Sequence, residues 1–266
     1  MKPAVFDYLA GDSLADAKAA LSAGVKPMAG NQSLGPMLNL RLARPGRLVD
    51  IAMLPELRAV AETATGLRLG AAITHAEIED GEAPDPTGGW LREAAAGIAY
   101  RAVRNRGTLG GSLAHADPAA DWAIVMTGLN ATAIIDGPAG RREIAMADFI
   151  TGPFATALGE GDLLVAIEVP KPGPDARWGY WKFCRQIGEF AKASATVLVD
   201  PAKHVNRCVL GALGRQPLVL AESQAVIEGR LSPRDAVAQA LPGWPPEALA
   251  LHATALERAL AQANGE

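Results

Sequence analysis

The order of periodic segments predicts a chain of the α+β class: an N-terminal α/β part, then a small unit of strands followed by helices. Two observations carry this. Through residue 170 short apolar runs alternate with helix-period segments, until Lys171-Pro-Gly-Pro-Asp-Ala176 breaks the pattern. Beyond that break come three extended runs, and then apolar-periodic helices to the end of the chain.

The elements follow in order. Residues 13–23 place Leu14, Ala17, Lys18 and Leu21 at helical spacing, with Ser13 as N-cap and Gly24 just past the C-terminus. Residues 25–30 read as a short strand and 31–35 as a loop. Pro36 opens a helix over 36–43, since its missing N–H is not needed in a first turn. Arg47–Ile51 is the next strand, so the first fifty or so residues form a β-α-β unit with an extra helix. Leu67–Ile73 suits a strand, Thr74 caps a short helix over 75–79, and the acidic, breaker-rich stretch 79–89 is a surface loop. Trp90–Val103 is predicted as one helix, with Leu91, Ala95, Ile98 and Ala102 on one face. A further helix covers 118–129, and strands cover 131–136 and 162–170. The extended runs after the break are 180–186, 194–200 and 207–214.

Composition excludes several classes. Of 266 residues 49% are hydrophobic and 20% charged, ordinary for a globular chain with a sizeable core. A net charge of −4 and 5% aromatics offer neither the basic face nor the stacking platforms of a nucleic-acid binder. The N-terminus lacks an apolar signal core and no run is long enough to span a bilayer, so a cytoplasmic chain without membrane partners is expected. Cys184 and Cys208 are too few for an iron–sulfur cluster and read as two small buried residues. His75, His115, His204 and His252 are scattered without zinc-ligand spacing, so no metal is expected. The P-loop and the dinucleotide Rossmann fingerprint are absent.

Two segments remain, Ala29-Gly-Asn-Gln-Ser-Leu34 between a strand and a helix and Thr108-Leu-Gly-Gly-Ser112 between two helices. Both join small residues to hydroxyls. Glycine allows close approach and unusual dihedrals, so such loops can turn several N–H groups toward an anion. Each hydrogen bond to a charged oxygen contributes about 1.5–3 kcal/mol. Either loop alone reads as an ordinary turn; the pair points to a phosphate-bearing ligand.

Five stretches in order resemble the FAD-binding (medium) subunit of the molybdenum hydroxylases, the carbon monoxide dehydrogenase and xanthine dehydrogenase type. AGNQSLGPMLNLRLARP is similar to the family's A-G-G-x-S-L loop and leucine-rich helix, and TLGGSLAHADPAAD to its T-I-G-G-S/N loop with a following P-x-x-D. GDLLVAIEVP, the run Lys182–Ala191 (the family's K-x-x-R-R-x-x-D-x-A) and RCVLGALG (its A-x-L-G-G-V) complete the series, from about residue 1 to about 260. The resemblance implies a two-lobed α/β FAD-binding domain (PCMH-type) over 1–170, with lobes about 1–54 and 55–170. A small C-terminal α+β domain of the flavoprotein C-terminal type, an antiparallel sheet with helices, would occupy 171–266.

The same resemblance implies a cofactor site. Met28, Ala29, Gly30, Asn31, Gln32, Ser33 and Leu34 would wrap the FAD diphosphate; Thr108, Leu109, Gly110, Gly111 and Ser112 would meet the diphosphate and ribityl chain. His115 and Asp117 lie between the second loop and Asp121, which would contact the sugar portion. Ile98 would pack on the cofactor, Leu164 would lie beside the flavin ring, and Lys182 near its pyrimidine end, favouring the anionic reduced flavin. Without the resemblance, Asp121 reads as a first-turn helix acid, Leu164 as a core leucine and Lys182 as an exposed lysine on an edge strand. Asn31 stands where glycine is commoner in the family, but asparagine tolerates positive φ. Gln186 and Glu189 stand for the family's second arginine and aspartate, changes that keep polarity but alter charge or length on the acceptor side. The implied role is electron transfer from [2Fe–2S] clusters through FAD to an external acceptor, with the chemistry on the flavin and no catalytic side chain. A [2Fe–2S] small subunit and a molybdopterin large subunit would be the partners, in a dimer of heterotrimers. The rival readings are a stand-alone NAD(P)H-dependent flavin reductase and a non-catalytic nucleotide-binding subunit.

Overall fold

The computed structural model describes residues 2–266. Its first fifty residues run β1 (Asp7–Ala10), α1 (Leu14–Ala20), β2 (Val25–Met28), α2 (Leu34–Asn39) and β3 (Arg47–Asp50), and the three strands form a parallel sheet in the order β1-β3-β2. The sequence does not announce β1, because all four of its residues are exposed and no alternation marks it. Ser13 caps α1 as expected, its hydroxyl accepting from the Asp16 amide at 3.1 Å. The helix ends at Ala20, however, and Gly24 (φ +80°) serves the turn into β2 instead. Likewise α2 starts two residues before Pro36 and stops at Asn39 instead of running to 43. Proline in the first turn is tolerated, and Arg41 in the left-handed region (φ +59°) follows the end of the helix.

The chain continues with α3 (Pro55–Arg58), β4 (Val60–Glu62), β5 (Gly66–Gly70), α4 (His75–Asp80), α5 (Trp90–Ala96), α6 (Arg101–Arg104), α7 (Leu109–His115) and α8 (Asp121–Gly128). It continues with β6 (Thr132–Gly137), β7 (Gly140–Ala145), α9 (Met146–Phe149), β8 (Ile150–Gly152), β9 (Ala155–Thr156) and β10 (Leu163–Pro170). Five of these strands make an antiparallel sheet, β4-β5-β10-β6-β7. Two expectations fail here for one reason, competition for backbone carbonyls. The single helix expected over 90–103 is broken between α5 and α6, with Ala99 at φ +44°. The Arg104 guanidinium donates to the carbonyls of Ile98 and Ala99 at 3.0 and 3.2 Å, holding the break, and Ala102 ends up exposed. The strand expected over 67–73 stops at Gly70, because Ala71 and Ile73 turn their carbonyls to the amides of Gly110 and Leu109 at the start of α7.

After the break, β11 (Arg177–Phe183), β12 (Ala193–Asp200), β13 (Val205–Gly211) and β14 (Leu218–Val219) form an antiparallel sheet. The helices α10 (Ser223–Ile227), α11 (Pro233–Ala240) and α12 (Pro246–Asn264) complete the chain. The strand expected over 180–186 begins earlier and ends at Phe183, so Cys184 and Gln186 lie outside it. All eight residues of β12 are buried. Ala195 and Val197 face a core shared with Leu256 and Ala259 of α12, while Leu198 joins a different core with Trp122 and Ile124 of α8. A strand covered on both faces reads as a continuous apolar run, as this one does. Close backbone approach sets this packing: a Cβ on Gly179 of β11 would fall 1.9 Å from the Ala259 carbonyl oxygen of α12.

His252 in α12 has a buried Nδ1 without a partner and Trp244 edge-on at 5.6 Å. Burial lowers its pKa from 6.5 to about 4. A base kept neutral when folded but free to protonate when unfolded makes stability present above pH 6.5 and progressively lost toward about pH 4. The slope is up to ~1.4 kcal/mol per pH unit. His75, lowered in the same direction, adds a second such contribution. His252→Phe should therefore flatten the fall in urea midpoint between about pH 7 and about pH 5; an unchanged fall would mean that the folded state admits the charged imidazole.

Candidate cofactor site

Between the Met28–Leu34 segment, the Thr108–Asp121 segment and the loop Gly188–Phe190 lies a cavity of about 1310 Å³. Ordinary small-molecule sites occupy ~300–1,000 Å³, so this one suits an elongated ligand. Residues 28–34 all stand on its wall, as do Ile98, Thr108, Gly110, Gly111, Ser112, His115, Asp117, Asp121 and Leu164.

The first segment leaves β2 and enters α2. Asn31 adopts φ +59°, the left-handed conformation its side chain tolerates. The amides of Gly30, Asn31, Gln32 and Ser33 donate to no acceptor among the described residues. Gln32 Nε2 donates to the Gly30 carbonyl at 3.2 Å, bracing the turn. Successive amides alternating around a left-handed residue form a concavity suited to an anion. Gly30 must be glycine: a Cβ there would fall 1.9 Å from the Arg106 carbonyl oxygen, so this turn abuts the chain leading into α7.

The second segment differs from its expectation. It is the first turn of α7, with Thr108 as N-cap, and its amides are already used. Leu109 N donates to Ile73 O at 2.9 Å, Gly110 N to Ala71 O at 2.8 Å, and Gly111 N to Thr108 Oγ1 at 3.1 Å. Leu109 is wholly buried in the core and is not on the cavity wall, so it offers a ligand neither its amide nor its side chain. What this segment supplies is shape. A Cβ on Gly110 would meet Ala71 Cβ at 2.4 Å, and one on Gly111 would stand 3.9 Å from Ala29 Cβ, so the two segments face each other at short range.

Asp121 begins α8, and its carboxylate is nearly enclosed. Oδ1 accepts from Lys182 Nζ at 2.5 Å and from the Tyr180 hydroxyl, and Lys182 Nζ also donates to the Gly97 carbonyl at 2.7 Å. Burial, then the Asp121 charge, pushes the Tyr180 phenol well above its ordinary range. Lys182 is thus not an exposed edge lysine. It is the counter-ion of Asp121 and is not itself on the cavity wall, whereas Asp121 is. Leu164 sits at a bulge of β10, buried, with its strand running past the cavity. His115 packs on the Phe154 ring at 5.2 Å, and Asp117 Oδ1 accepts from the Ala119 amide. Glu189 reaches the wall and Gln186 does not. Sequence reasoning missed His75, Gly107, Phe154, Gly188 and Phe190, all on the wall. Only the Thr74 cap before His75 left a local signal.

Among the described residues no cluster of histidine, cysteine and acidic side chains could hold a metal, and no helix is long and apolar enough to cross a membrane.

A cavity of dinucleotide size with an uncharged amide concavity at one end defines a nucleotide-cofactor protein. Comparison places it more narrowly: residues 4–172 match the FAD binding domain in molybdopterin dehydrogenase, and the chain belongs to that family. It is 34% identical to the 6-hydroxypseudooxynicotine dehydrogenase complex subunit alpha of Paenarthrobacter nicotinovorans, over 90% of this chain and 84% of that one. It is 32% identical to the carbon monoxide dehydrogenase medium chain of Afipia carboxidovorans, over 91% and 86%. A solved structure of reconstituted CO dehydrogenase from Oligotropha carboxidovorans superposes with a TM-score of 0.90 at 30% identity, covering 100% of this chain and 99% of that one. The chain is an FAD-binding oxidoreductase subunit of the molybdenum hydroxylase type. Its residues fit that cofactor: four unpaired amides at one end can take a diphosphate, and an apolar strand at Leu164 can take a flat ring.

Asp121→Ala should cost about 3–5 kcal/mol in urea unfolding, because it leaves a buried ammonium without its counter-ion. Combining it with Lys182→Met should recover much of that loss. If the double variant is no more stable than Asp121→Ala, the two charges are not coupled.

Proposed function

We propose that residues 28–34 wrap the FAD diphosphate and that Thr108, Gly110, Gly111 and Ser112 close the opposite side. Leu164 then lies beside the flavin ring, with Asp121 near the sugar portion and His115 and Asp117 between them. The observation that carries this is the Gly30–Ser33 turn, whose four amides without an acceptor flank a left-handed Asn31 on the wall of the large cavity. Bound flavin supplies the exchange of single electrons and electron pairs, while the chain supplies position and electrostatics. Lys182 acts through Asp121: by neutralising that carboxylate it keeps a negative charge from the flavin neighbourhood.

The chain passes electrons from [2Fe–2S] clusters through FAD to an external acceptor. Its partners are a [2Fe–2S] small subunit and a molybdopterin large subunit in a dimer of heterotrimers, a reading supported by relatives named as medium chains and complex subunits. We place an FAD-binding domain at 1–170, with lobes about 1–54 and 55–170, and a C-terminal domain at 171–266; the segregation of strands into separate sheets supports these limits. Work in the cytoplasm accords with two unpaired cysteines, Cys184 and Cys208.

The test is an absorbance spectrum of the purified chain, with mass spectrometry of what denaturation releases. FAD should be released from the wild type and lost from Gly111→Asp, which sets a carboxylate between the two segments. Normal flavin content in a folded Gly111→Asp would sink the loop assignment. Lys182→Met should retain FAD but lower its reduction potential, since the Asp121 charge is then uncompensated; an unchanged potential would remove the pair from the flavin's surroundings.

A further inference from the structure

His75 is the first residue of α4 and only 4% exposed. Trp122, beside Asp121 in α8, donates its Nε1–H to His75 Nδ1 at 3.0 Å. An indole nitrogen can only donate, so Nδ1 must present its lone pair and the ring proton must sit on Nε2. Burial, helped by the Arg104 charge, lowers the imidazole pKa to about 4, so the ring is neutral near pH 7 and this tautomer persists. The Nε2 edge lies against Gly107, where a Cβ would fall 2.8 Å from Nε2. Gly107 is also where the first segment arrives: a Cβ on Gly30 would be 2.9 Å from the Gly107 Cα. Both His75 and Gly107 stand on the cavity wall, and no described residue accepts the Nε2–H. Nε2 is not among the buried side-chain atoms that lack a partner, so this unpaired N–H is open to the cavity and available to a bound acceptor.

We infer that His75 is a cofactor-site residue whose Nε2–H, fixed in direction by Trp122, donates to a diphosphate oxygen of the bound dinucleotide. This rests on the reading of the cavity as the FAD site. The histidine adds to the amides of the Gly30–Ser33 turn a neutral donor from the other lobe, so both lobes grip the same group. Because Trp122 belongs to α8, the direction of that donor is set by the helix that also carries Asp121.

Two substitutions separate ligand contact from structural support. In His75→Asn the side-chain oxygen can still accept from Trp122, but nothing reaches the Nε2 position. In His75→Gln the amide nitrogen can reach that position, while the acceptor for Trp122 is lost. With the full-length chain stripped of flavin and titrated with FAD, His75→Asn should raise Kd about ten- to a hundredfold, and His75→Gln should bind near wild type at lower thermal stability. The reverse ranking, or wild-type affinity in both, overturns the assignment. If both variants weaken equally, ¹⁵N-histidine spectra of the wild type decide. The Nε2–H signal should move with FAD and not with riboflavin, which lacks phosphate; a stationary signal, or one moved alike by riboflavin, overturns it. Gly111→Asp run alongside tests the parent reading: if it binds FAD normally the cavity is not the site, whereas its failure to bind beside a normal His75→Asn removes only the histidine.

Discussion

A carboxylate with 9% of its side-chain surface exposed governs how the two halves of the chain meet. Asp121 begins a helix whose eight residues are all buried, and it takes its two partners, Lys182 and Tyr180, from β11 of the C-terminal sheet. The ammonium reaches on to the Gly97 carbonyl in the break between α5 and α6. That break is itself held by Arg104, whose guanidinium also pairs with Glu79 of α4. One polar chain therefore links four helices and a strand around the cavity. Charges so buried are tolerated only when each is paired and hydrogen-bonded, and this requirement makes the arrangement specific.

The site itself uses little charge. The end of the cavity at Gly30–Ser33 consists of unpaired amides around one left-handed asparagine, with the neutral His75 ring beyond them. Neutral donors fixed by backbone geometry need no counter-ion when the ligand is away, which suits a chain of net charge −4. The glycines of the second segment serve the same end indirectly. They let α7 lie against Ala71 and bring the wall close to Ala29, instead of supplying amides themselves.

Much of this was legible from local chemistry. Ser13 and Thr74 cap helices as their side chains predict, and Thr74 and Glu77 complete a capping box. The strands at 162–170, 194–200 and 207–214 appear with small shifts of their ends, because short continuous apolar runs leave few alternatives. Asn31 adopts the positive φ that its side chain permits. The exposed β1 escaped notice, since a strand supported only by edge pairing carries no hydrophobic pattern. The break at Ala99 escaped as well, because apolar spacing continues through it and the arginine responsible lies in the next helix.

By itself, the sequence determined most of the order of elements and the residue types able to approach a phosphate. These depend on interactions between near neighbours: caps, turns, side-chain periodicity and the steric freedom of glycine. Only the tertiary structure decided which groups are free and which are taken. The amides of 109–111 are consumed by Ala71, Ile73 and Thr108, Lys182 is claimed by Asp121 across 61 residues, and His75 has its tautomer set by Trp122 across 47. A hydrogen bond depends on distance and direction in space, and those follow from how separate elements pack rather than from the identity of either partner.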